Sequence, residues 1–284
     1  MRTLYTKDIK NVVVKVGTSI LTTGGRFDKT LIGKLGREVS DFLKKGLRVS
    51  LVSSGAIGAG MTILKQKKRP KTMQGLQAAA AVGQRYLMQC YEEAFSGHGF
   101  STAQVLLTHD DLADPQRFMN AKRTLMEIQK RGLIPVINEN DTVATEEIRF
   151  GDNDRLSALL SILMDADILV ILSDTDGLYS NGGRGERIQV VEEMNGSIFS
   201  HVKDNRNSFT VGGMRSKLEA VRISTGSGIP VFLADGRKPM ILHRLFLGED
   251  LGTFFLPTAK KGHVRKNWVA HFTRHVHSRH VDRS

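Results

Sequence analysis

Apolar residues along the chain fall into two alternating patterns. Short runs made almost entirely of apolar, often β-branched residues predict buried strands at 11–16, 48–52, 103–107, 133–137, 168–172, 230–234 and 253–256. Between them, apolar positions recur at helical spacing after the N-cap Asp28 and over 73–95, 117–130, 156–164 and 218–226. Strands that are apolar on both faces and alternate with helices are typical of a mostly parallel sheet covered on both sides. We therefore expect an α/β fold, with little regular structure in the Gly-, Asn- and Ser-rich residues 180–213.

Charge is distributed unevenly, although the overall composition is that of an ordinary globular protein. The formal net charge is +12 over 284 residues, and half of it lies in 257–284, where seven Lys or Arg residues accompany one Asp. Five of the nine histidines also lie there, a composition that favours a solvated tail over a metal site. The rest of the chain is only mildly basic, so its charge indicates little about function.

The cellular compartment is indicated by three absences in the sequence. Cys90 is the single cysteine, which excludes an internal disulfide framework and fits a reducing compartment. The first ten residues lack the apolar core of a signal peptide, and no run of about 18 uninterrupted apolar residues occurs. We expect a cytoplasmic protein without a membrane span, in which Cys90 is a core residue of its helix.

Small residues follow three of the predicted strands. These turns are Gly17-Thr18-Ser19, Ser53-Ser54-Gly55 and Ser173-Asp174. In an open α/β sheet such turns lie along one edge, where helix N-termini present backbone N–H groups to anions. None of them matches the GxGxxG or Walker A spacing. Glycines required only for tight turns remain an alternative for any one of these segments.

Two lysines stand where a phosphate-binding group would be useful. Lys15 lies near the end of the first strand, two residues before Gly17, and an unpaired lysine there would be costly to bury. Lys217 follows Gly212-Gly213 and opens a helix, so its ammonium and the local N–H groups could serve one anion. An outward-facing Lys15 and an ordinary helix-start Lys217 are the alternative interpretations.

Acidic residues are concentrated in the connection between the strand 133–137 and the helix 156–164. Residues 138–154 (NENDTVATEEIRFGDND) contain six carboxylates, which repel one another unless cations or donors compensate them. Asp152-Asn153-Asp154 resembles part of a calcium loop without its later Gly and Glu, and a helix N-cap is an alternative. Together with Asn138–Asp141, the mixture of donors and acceptors suits a ligand that carries an amine and a carboxylate. We expect Glu146 and Glu147 to be solvated or at the rim of such a pocket.

Several of these segments together resemble the glutamate 5-kinases of the amino acid kinase family. The resemblance is carried in order by VVVKVGTS (12–19), VSSGAIGAG (52–60), PVINENDTVAT (135–145), FGDNDRLSAL (150–159), LSDTDGLY (172–179) and VGGMRSK (211–217). It implies a three-layer α/β/α sandwich with a mostly parallel central sheet, formed by residues 1–256. Val211 departs from the threonine common at its place in the family. Too few residues follow Trp268 for the family's C-terminal PUA domain, so we expect 257–284 to be a basic tail.

The resemblance also implies a role for each site residue. Lys15 and Lys217 would contact the transferring phosphoryl group, with Asp154 holding both lysines in position. Glutamate would be bound by Ser54, Asp141 and Asn153, with Asn138 nearby. The nucleotide would be bound by Lys15, Gly17, Ser173, Asp174, Val211, Gly212, Gly213, Met214, Arg215, Ser216 and Lys217.

Ligands, regulators and partners follow from the same resemblance. It implies ATP and Mg²⁺, L-glutamate as acceptor of the phosphoryl group on its γ-carboxylate, and feedback inhibition by proline. It also implies a homo-oligomer, dimer or tetramer, and transfer of the product to glutamyl phosphate reductase. No membrane partner is expected, and nucleic acid is disfavoured because the basic charge lies in a tail without a folded module.

The same residues are compatible with other functions. Kinases of the same fold that act on aspartate, acetylglutamate, carbamate or UMP share the lysine and glycine turns. A protein that keeps the fold for sensing would be expected to have lost a lysine or Asp154, and all three are present. Nucleic-acid binding through the tail would give a salt-sensitive affinity that disappears when 257–284 is deleted.

Overall fold

A computed structural model describes residues 2–23, 26–143, 153–202 and 213–258 of the chain. The strands of this part are β1 Asn11–Val16, β2 Thr22–Thr23, β3 Arg26–Phe27, β4 Arg48–Ser53, β5 Thr102–Leu107, β6 Ile134–Glu139, β7 Ile168–Ser173, β8 Leu178–Tyr179, β9 Arg187–Ile188, β10 Val190–Val191, β11 Val231–Asp235 and β12 Thr253–Phe255. The helices are α1 Thr30–Lys44, α2 Ala56–Ile63, α3 Met73–Ser96, α4 His109–Ala113, α5 Pro115–Lys130, α6 Asn153–Leu163, α7 Ser180–Gly183, α8 Gly196–Ser200, α9 Met214–Gly226 and α10 Ile241–Phe246, with 3₁₀ turns at Arg2–Tyr5 and Thr18–Ile20.

Eight of the strands in the described ranges form one sheet, in the order β10-β12-β11-β7-β1-β4-β6-β5. Neighbouring strands run parallel except for β11 and β12, which are antiparallel. The central strands β1 and β7 are buried almost throughout, because a parallel sheet is covered on both faces and its strands are apolar on both. The predicted α/β fold with a mostly parallel sheet is thus confirmed.

Apolar side chains form a core on each face of this sheet. Alternate residues of β1 point to opposite faces: Val12, Val14 and Val16 belong to the core beneath α1, α3 and α10. Val13 points the other way, to the core beneath α5, α6 and α9. Two helical layers enclosing one sheet are the predicted three-layer α/β/α sandwich.

The main chains of helices α2 and α3 are in direct contact. A Cβ at Gly60 would lie 1.8 Å from the Ala79 carbonyl oxygen, and one at Gly83 would lie 1.8 Å from that of Ala56. No side chain larger than hydrogen fits at either position. The relative placement of α2, which follows the Ser53–Gly55 turn, and α3 is therefore fixed by main-chain contact.

The N-terminal segment is held by a buried guanidinium. Arg2 donates to the main-chain carbonyls of Glu249, Leu251 and Gln189 at 2.6 to 2.9 Å and to that of Gly252 at 3.2 Å. Its Nη2 also pairs with the Asp250 carboxylate at 3.0 Å. One side chain thereby satisfies several carbonyls around the edge of β12.

Some boundaries differ from the sequence predictions. Helix α9 begins at Met214 rather than at 218, so Arg215, Ser216 and Lys217 lie in its first turn. The predicted irregularity of 180–213 is wrong in part, because β10 joins the edge of the main sheet. In both cases the element is stabilised by neighbours distant in sequence, which local periodicity does not report.

Candidate active site

Four adjacent parallel strands end at the same edge of the sheet and carry the predicted site residues. Strand β7 ends at Ser173, β1 leads to Gly17, β4 leads to Ser54, and β6 carries Asn138 near its end. Main-chain bonds connect these ends: the Gly17 N–H donates to the Leu172 carbonyl at 3.0 Å, and the Ser54 N–H donates to that of Val16 at 3.0 Å. The predicted convergence of the small-residue turns at one edge is therefore present.

The conformation of these turns explains their glycines. Gly55 adopts φ +104°, in the left-handed region that disfavours residues with a Cβ, immediately before α2. A Cβ at Gly17 would lie 3.1 Å from the Leu172 carbonyl oxygen and 3.6 Å from the Lys15 ammonium nitrogen. Glycine at 17 thus leaves space directly over the Lys15 head group, where a ligand oxygen could approach.

Asp154 lies at the centre of a buried ion cluster. It is the second residue of α6, and its carboxylate pairs with the Lys15 ammonium and, at 3.3 Å, with the Lys217 ammonium. The Ser216 hydroxyl also donates to it at 2.8 Å. Asp154 has no exposed surface, and Lys15 and Lys217 are 4% and 5% exposed. The alternative of an outward-facing Lys15 is therefore wrong.

The electrostatics of this cluster favour an anionic ligand. Burial opposes ionisation of Asp154, but the charges of Lys15 and Lys217 outweigh it and hold the pKa of Asp154 below its ordinary value. Burial, opposed by the charge of Asp154, holds the pKa of Lys217 below its ordinary value. Two ammonium groups and one carboxylate carry a formal charge of +1 away from water, which an incoming anion would neutralise.

Beside the ion cluster lies a network of buried amides. The Asn153 amide donates to the Ser54 hydroxyl and to the Asn138 side-chain carbonyl, both at 2.9 Å. The Asn138 amide donates in turn to the side-chain carbonyl of Gln84, at 2.9 Å. Ser54 and Asn138, predicted with Asn153 to lie at the amino-acid pocket, thus both contact Asn153 directly. Gln84, which joins them from α3, was not among the predicted residues.

Asp141 lies shortly after Asn138 of this network in the chain. Burial raises the pKa of its carboxyl group to about 6, and the positive charge of Arg69 opposes the shift. Such a carboxylate is ionised at neutral pH yet poorly hydrated, so an ammonium group would be a favourable partner. Glu146, Glu147 and Asp152 lie outside the described residues.

The predicted nucleotide residues lie on the other side of the ion cluster. The Ser173 hydroxyl donates to the Asp174 carboxylate at 3.1 Å. Burial opposes ionisation of Asp174, but hydrogen bonds, first that from Ser19, and the charge of Lys217 hold its pKa below the ordinary value. The Arg237 guanidinium donates to the Asp174 carbonyl at 2.8 Å. Asp174 is therefore electrostatically coupled to Lys217, and Ser173 is hydrogen-bonded to Asp174.

The first turn of α9 supplies further donors. Gly213 is its N-cap and has no side chain to occupy the first N–H groups of the helix, which are the groups that anions bind. Met214 is partly buried, whereas Arg215 is exposed and pairs with Glu219 at 3.7 Å. Ser216 and Lys217 of this turn contact Asp154. Val211 and Gly212 lie outside the described residues.

The described ranges contain neither a cluster of metal-ligating side chains nor a helix that could span a membrane. There, no three His, Cys, Asp or Glu residues come together in a way that could hold a metal ion. Nor does any helix of these ranges combine the length and apolar character needed to cross a bilayer.

Known proteins resemble the chain in both sequence and structure. The profile of the Amino acid kinase family matches residues 10–235. Two proteins named Glutamate 5-kinase are each 44% identical to this chain. The one from Thermoanaerobacter sp. aligns over 91% of this chain, the one from Moorella thermoacetica aligns over 92% of it, and each alignment covers 71% of the relative's own length. That from Geobacter metallireducens is 42% identical, over 96% of this chain and 75% of its own length.

A solved structure supports the fold alone. UMP kinase from Bacillus anthracis superimposes with a TM-score of 0.59 at 15% identity, covering 89% of this chain and 98% of that one. The family profile spans most of the chain, and the relatives above 40% identity align over more than two thirds of their own lengths. The chain belongs to the amino acid kinase family and, within it, to the glutamate 5-kinases.

Proposed function

We propose that this protein transfers the γ-phosphoryl group of ATP to the γ-carboxylate of L-glutamate, giving L-glutamyl 5-phosphate, the first step of proline biosynthesis. The observation that carries the proposal is the buried Asp154 between Lys15 and Lys217. The relatives named Glutamate 5-kinase support the choice of acceptor.

The chemistry needs no general base. A γ-carboxylate is already anionic at neutral pH, so the main barriers are its positioning and its repulsion by the phosphates. Lys15 and Lys217 offer positive charge to the transferring group, and Asp154 holds both ammonium groups in place. Mg²⁺, bound with the nucleotide, would neutralise further phosphate charge.

The two substrates would occupy opposite sides of the ion cluster. Ser54, Asn138, Asn153 and the carboxylate of Asp141 would bind the amino-acid end of glutamate. The first turn of α9 and Gly17 would bind the ATP phosphates, and Ser173 and Asp174 would complete the nucleotide site. This arrangement directs the γ-carboxylate towards the lysines, where it meets the γ-phosphoryl group.

Several finer properties belong to the same proposal. Residues 1–256 would form the kinase domain and 257–284 a basic tail. The enzyme would act in the cytoplasm as a homo-oligomer, be inhibited by proline at or near the glutamate site, and transfer its product to glutamyl phosphate reductase. ATP and Mg²⁺ would be required for turnover.

A coupled assay of ADP release tests the proposal. Release should depend on both L-glutamate and Mg²⁺, and proline should reduce it. Aspartate, acetylglutamate, carbamate and UMP should be poor acceptors at equal concentration. If one of these acceptors exceeded glutamate, or if Lys217→Ala kept near-normal turnover, the proposed reaction or its mechanism would be wrong.

A further inference from the structure

The amide network beside the ion cluster contains one residue that none of the roles above uses. Gln84 lies on α3 and is 8% exposed, between the buried positions Ala80 and Leu87. Its carbonyl Oε1 accepts from the Asn138 amide, while its amide Nε2 is buried and has no hydrogen-bond partner among the described residues.

Main-chain groups determine the orientation of all three amides. The Glu139 N–H donates to Asn138 at 2.9 Å, so the atom it meets must be the carbonyl oxygen Oδ1. The main-chain carbonyl of Ser53 accepts from Asn153 at 3.3 Å, so that atom must be the amide nitrogen. With Asn138 fixed in this way, its Nδ2 faces Gln84, which must present Oε1 to it. The unpartnered atom of Gln84 is therefore the donor Nε2.

The network ends in two unused groups of opposite kind. At one end is the Gln84 amide, a donor. At the other is Asn153 Oδ1, an acceptor that is likewise buried without a partner among the described residues. A buried polar group without a hydrogen bond costs about 1–3 kcal/mol, and such a group in a native structure requires an explanation, of which a functional role is one. A donor for a carboxylate and an acceptor for an ammonium group match the two ends of an amino-acid zwitterion.

We propose that the Gln84 amide donates a hydrogen bond to the α-carboxylate of the acceptor and so determines its specificity; this inference rests on the proposed function. The γ-carboxylate is excluded as the partner because it must lie against Lys15 and Lys217 in order to react. The Ser54 hydroxyl accepts from Asn153 and so keeps its own proton for the substrate. Gln84 and Ser54 together would provide two donors for the carboxylate that does not react.

The proposal predicts a change in selectivity. Gln84→Glu keeps the shape and one acceptor for Asn138, but replaces the donor Nε2 with a negatively charged oxygen. We expect KM for L-glutamate to rise roughly 10- to 100-fold, with KM for ATP and kcat changed little. L-glutamate α-amide has the same γ-carboxylate and carries an amide that can donate to the introduced carboxylate. Its kcat/KM relative to that of glutamate should rise at least about tenfold in the variant.

A matched control and a second variant keep the test decisive. Gln89→Glu makes the same change at an exposed position of α3. It should leave KM for L-glutamate, and kcat/KM for the α-amide relative to that for glutamate, at their wild-type values. If Gln84→Glu does not fold, Gln84→Met removes the donor, together with the acceptor of the Asn138 amide, without introducing charge. It should raise KM for glutamate and narrow the wild-type preference for glutamate over the α-amide.

The outcomes separate this inference from the proposed function. An unchanged ratio between glutamate and its α-amide in a folded Gln84 variant would overturn the role of Gln84, even with a raised KM, because a purely structural effect would weaken both acceptors equally. Wild-type protein that shows no glutamate-dependent ADP release would instead overturn the proposed function itself.

Discussion

Replacing Asp154 with Asn tests the ion cluster most directly. The side chain keeps its size and can still accept a hydrogen bond from Ser216, but it loses the charge that both buried lysines contact. Its single carbonyl oxygen can face only one of the two ammonium groups. The variant therefore retains two buried positive charges and loses the carboxylate that contacts both of them.

The magnitude follows from the geometry. At the 3.3 Å separation between Lys217 Nζ and Asp154 Oδ2, and with an effective dielectric constant of about 20, the attraction is about 5 kcal/mol. Breaking one partner of a buried pair typically costs about 3–5 kcal/mol. In a domain of this size each kcal/mol shifts Tm by about 2–4 °C, so we expect Tm to fall by roughly 6–20 °C. Turnover should fall by at least about 10²-fold.

Thermal unfolding as a function of pH provides the assay. Burial already lowers the pKa of Lys217, and Asp154 is the charge that opposes this, so the variant should lower it further. A folded state that binds fewer protons than the unfolded chain gains stability as the pH rises. The deficit in Tm should therefore shrink as the pH rises towards the ordinary lysine pKa of about 10.4.

Asp165→Asn is a suitable control for this experiment. Asp165 pairs with Lys122 at 2.7 Å, but its carboxylate is 56% exposed, and exposed pairs contribute about 1 kcal/mol or less. An Asp154→Asn protein with the same Tm and turnover as Asp165→Asn would refute the reasoning. So would a deficit that grows with pH.

Three further outcomes are expected. Since the Asp141 pKa is about 6, kcat/KM for glutamate should fall below that pH, by about tenfold per unit, and Asp141→Asn should abolish this dependence in a pH–rate profile. Arg2→Met, which removes the hydrogen bonds of the guanidinium to four main-chain carbonyls and its ion pair with Asp250, should lower the free energy of unfolding by about 2–3 kcal/mol in urea titrations; an unchanged midpoint would contradict this. Gly83→Ala should destabilise by more than about 3 kcal/mol, because its Cβ would overlap the Ala56 carbonyl; wild-type stability would contradict the close contact.

Strands of the central sheet could be predicted well from the sequence, and the reason is physical. A parallel strand buried on both faces must be apolar throughout, as in β1 and β7, so its pattern is visible locally. The antiparallel orientation of β12 beside β11 could not be predicted, because strand direction depends on pairing between distant segments. The same limitation concealed the place of β10 in the sheet.

The candidate site was predictable to a different extent for different residues. Lys15 stood out as a charge within an apolar strand, and its counter-charge Asp154 lies in the acidic segment found from the sequence. Gln84 was missed, although it lies four residues after Ala80 and three before Leu87, both buried. A polar residue at a core position of a helix was the available signal. Its partner Asn138 could be identified only from the structure.

The main-chain contact between α2 and α3 has a consequence for the choice of acceptor. Gln84 is adjacent to Gly83, and Ser54 lies just before α2, so the spacing of these two side chains is set by two helices that cannot move closer. If Gln84 and Ser54 hold the α-carboxylate, the distance from these two side chains to Lys15 and Lys217 selects acceptors of one length. Aspartate, one methylene shorter, could reach one end of that span but not both.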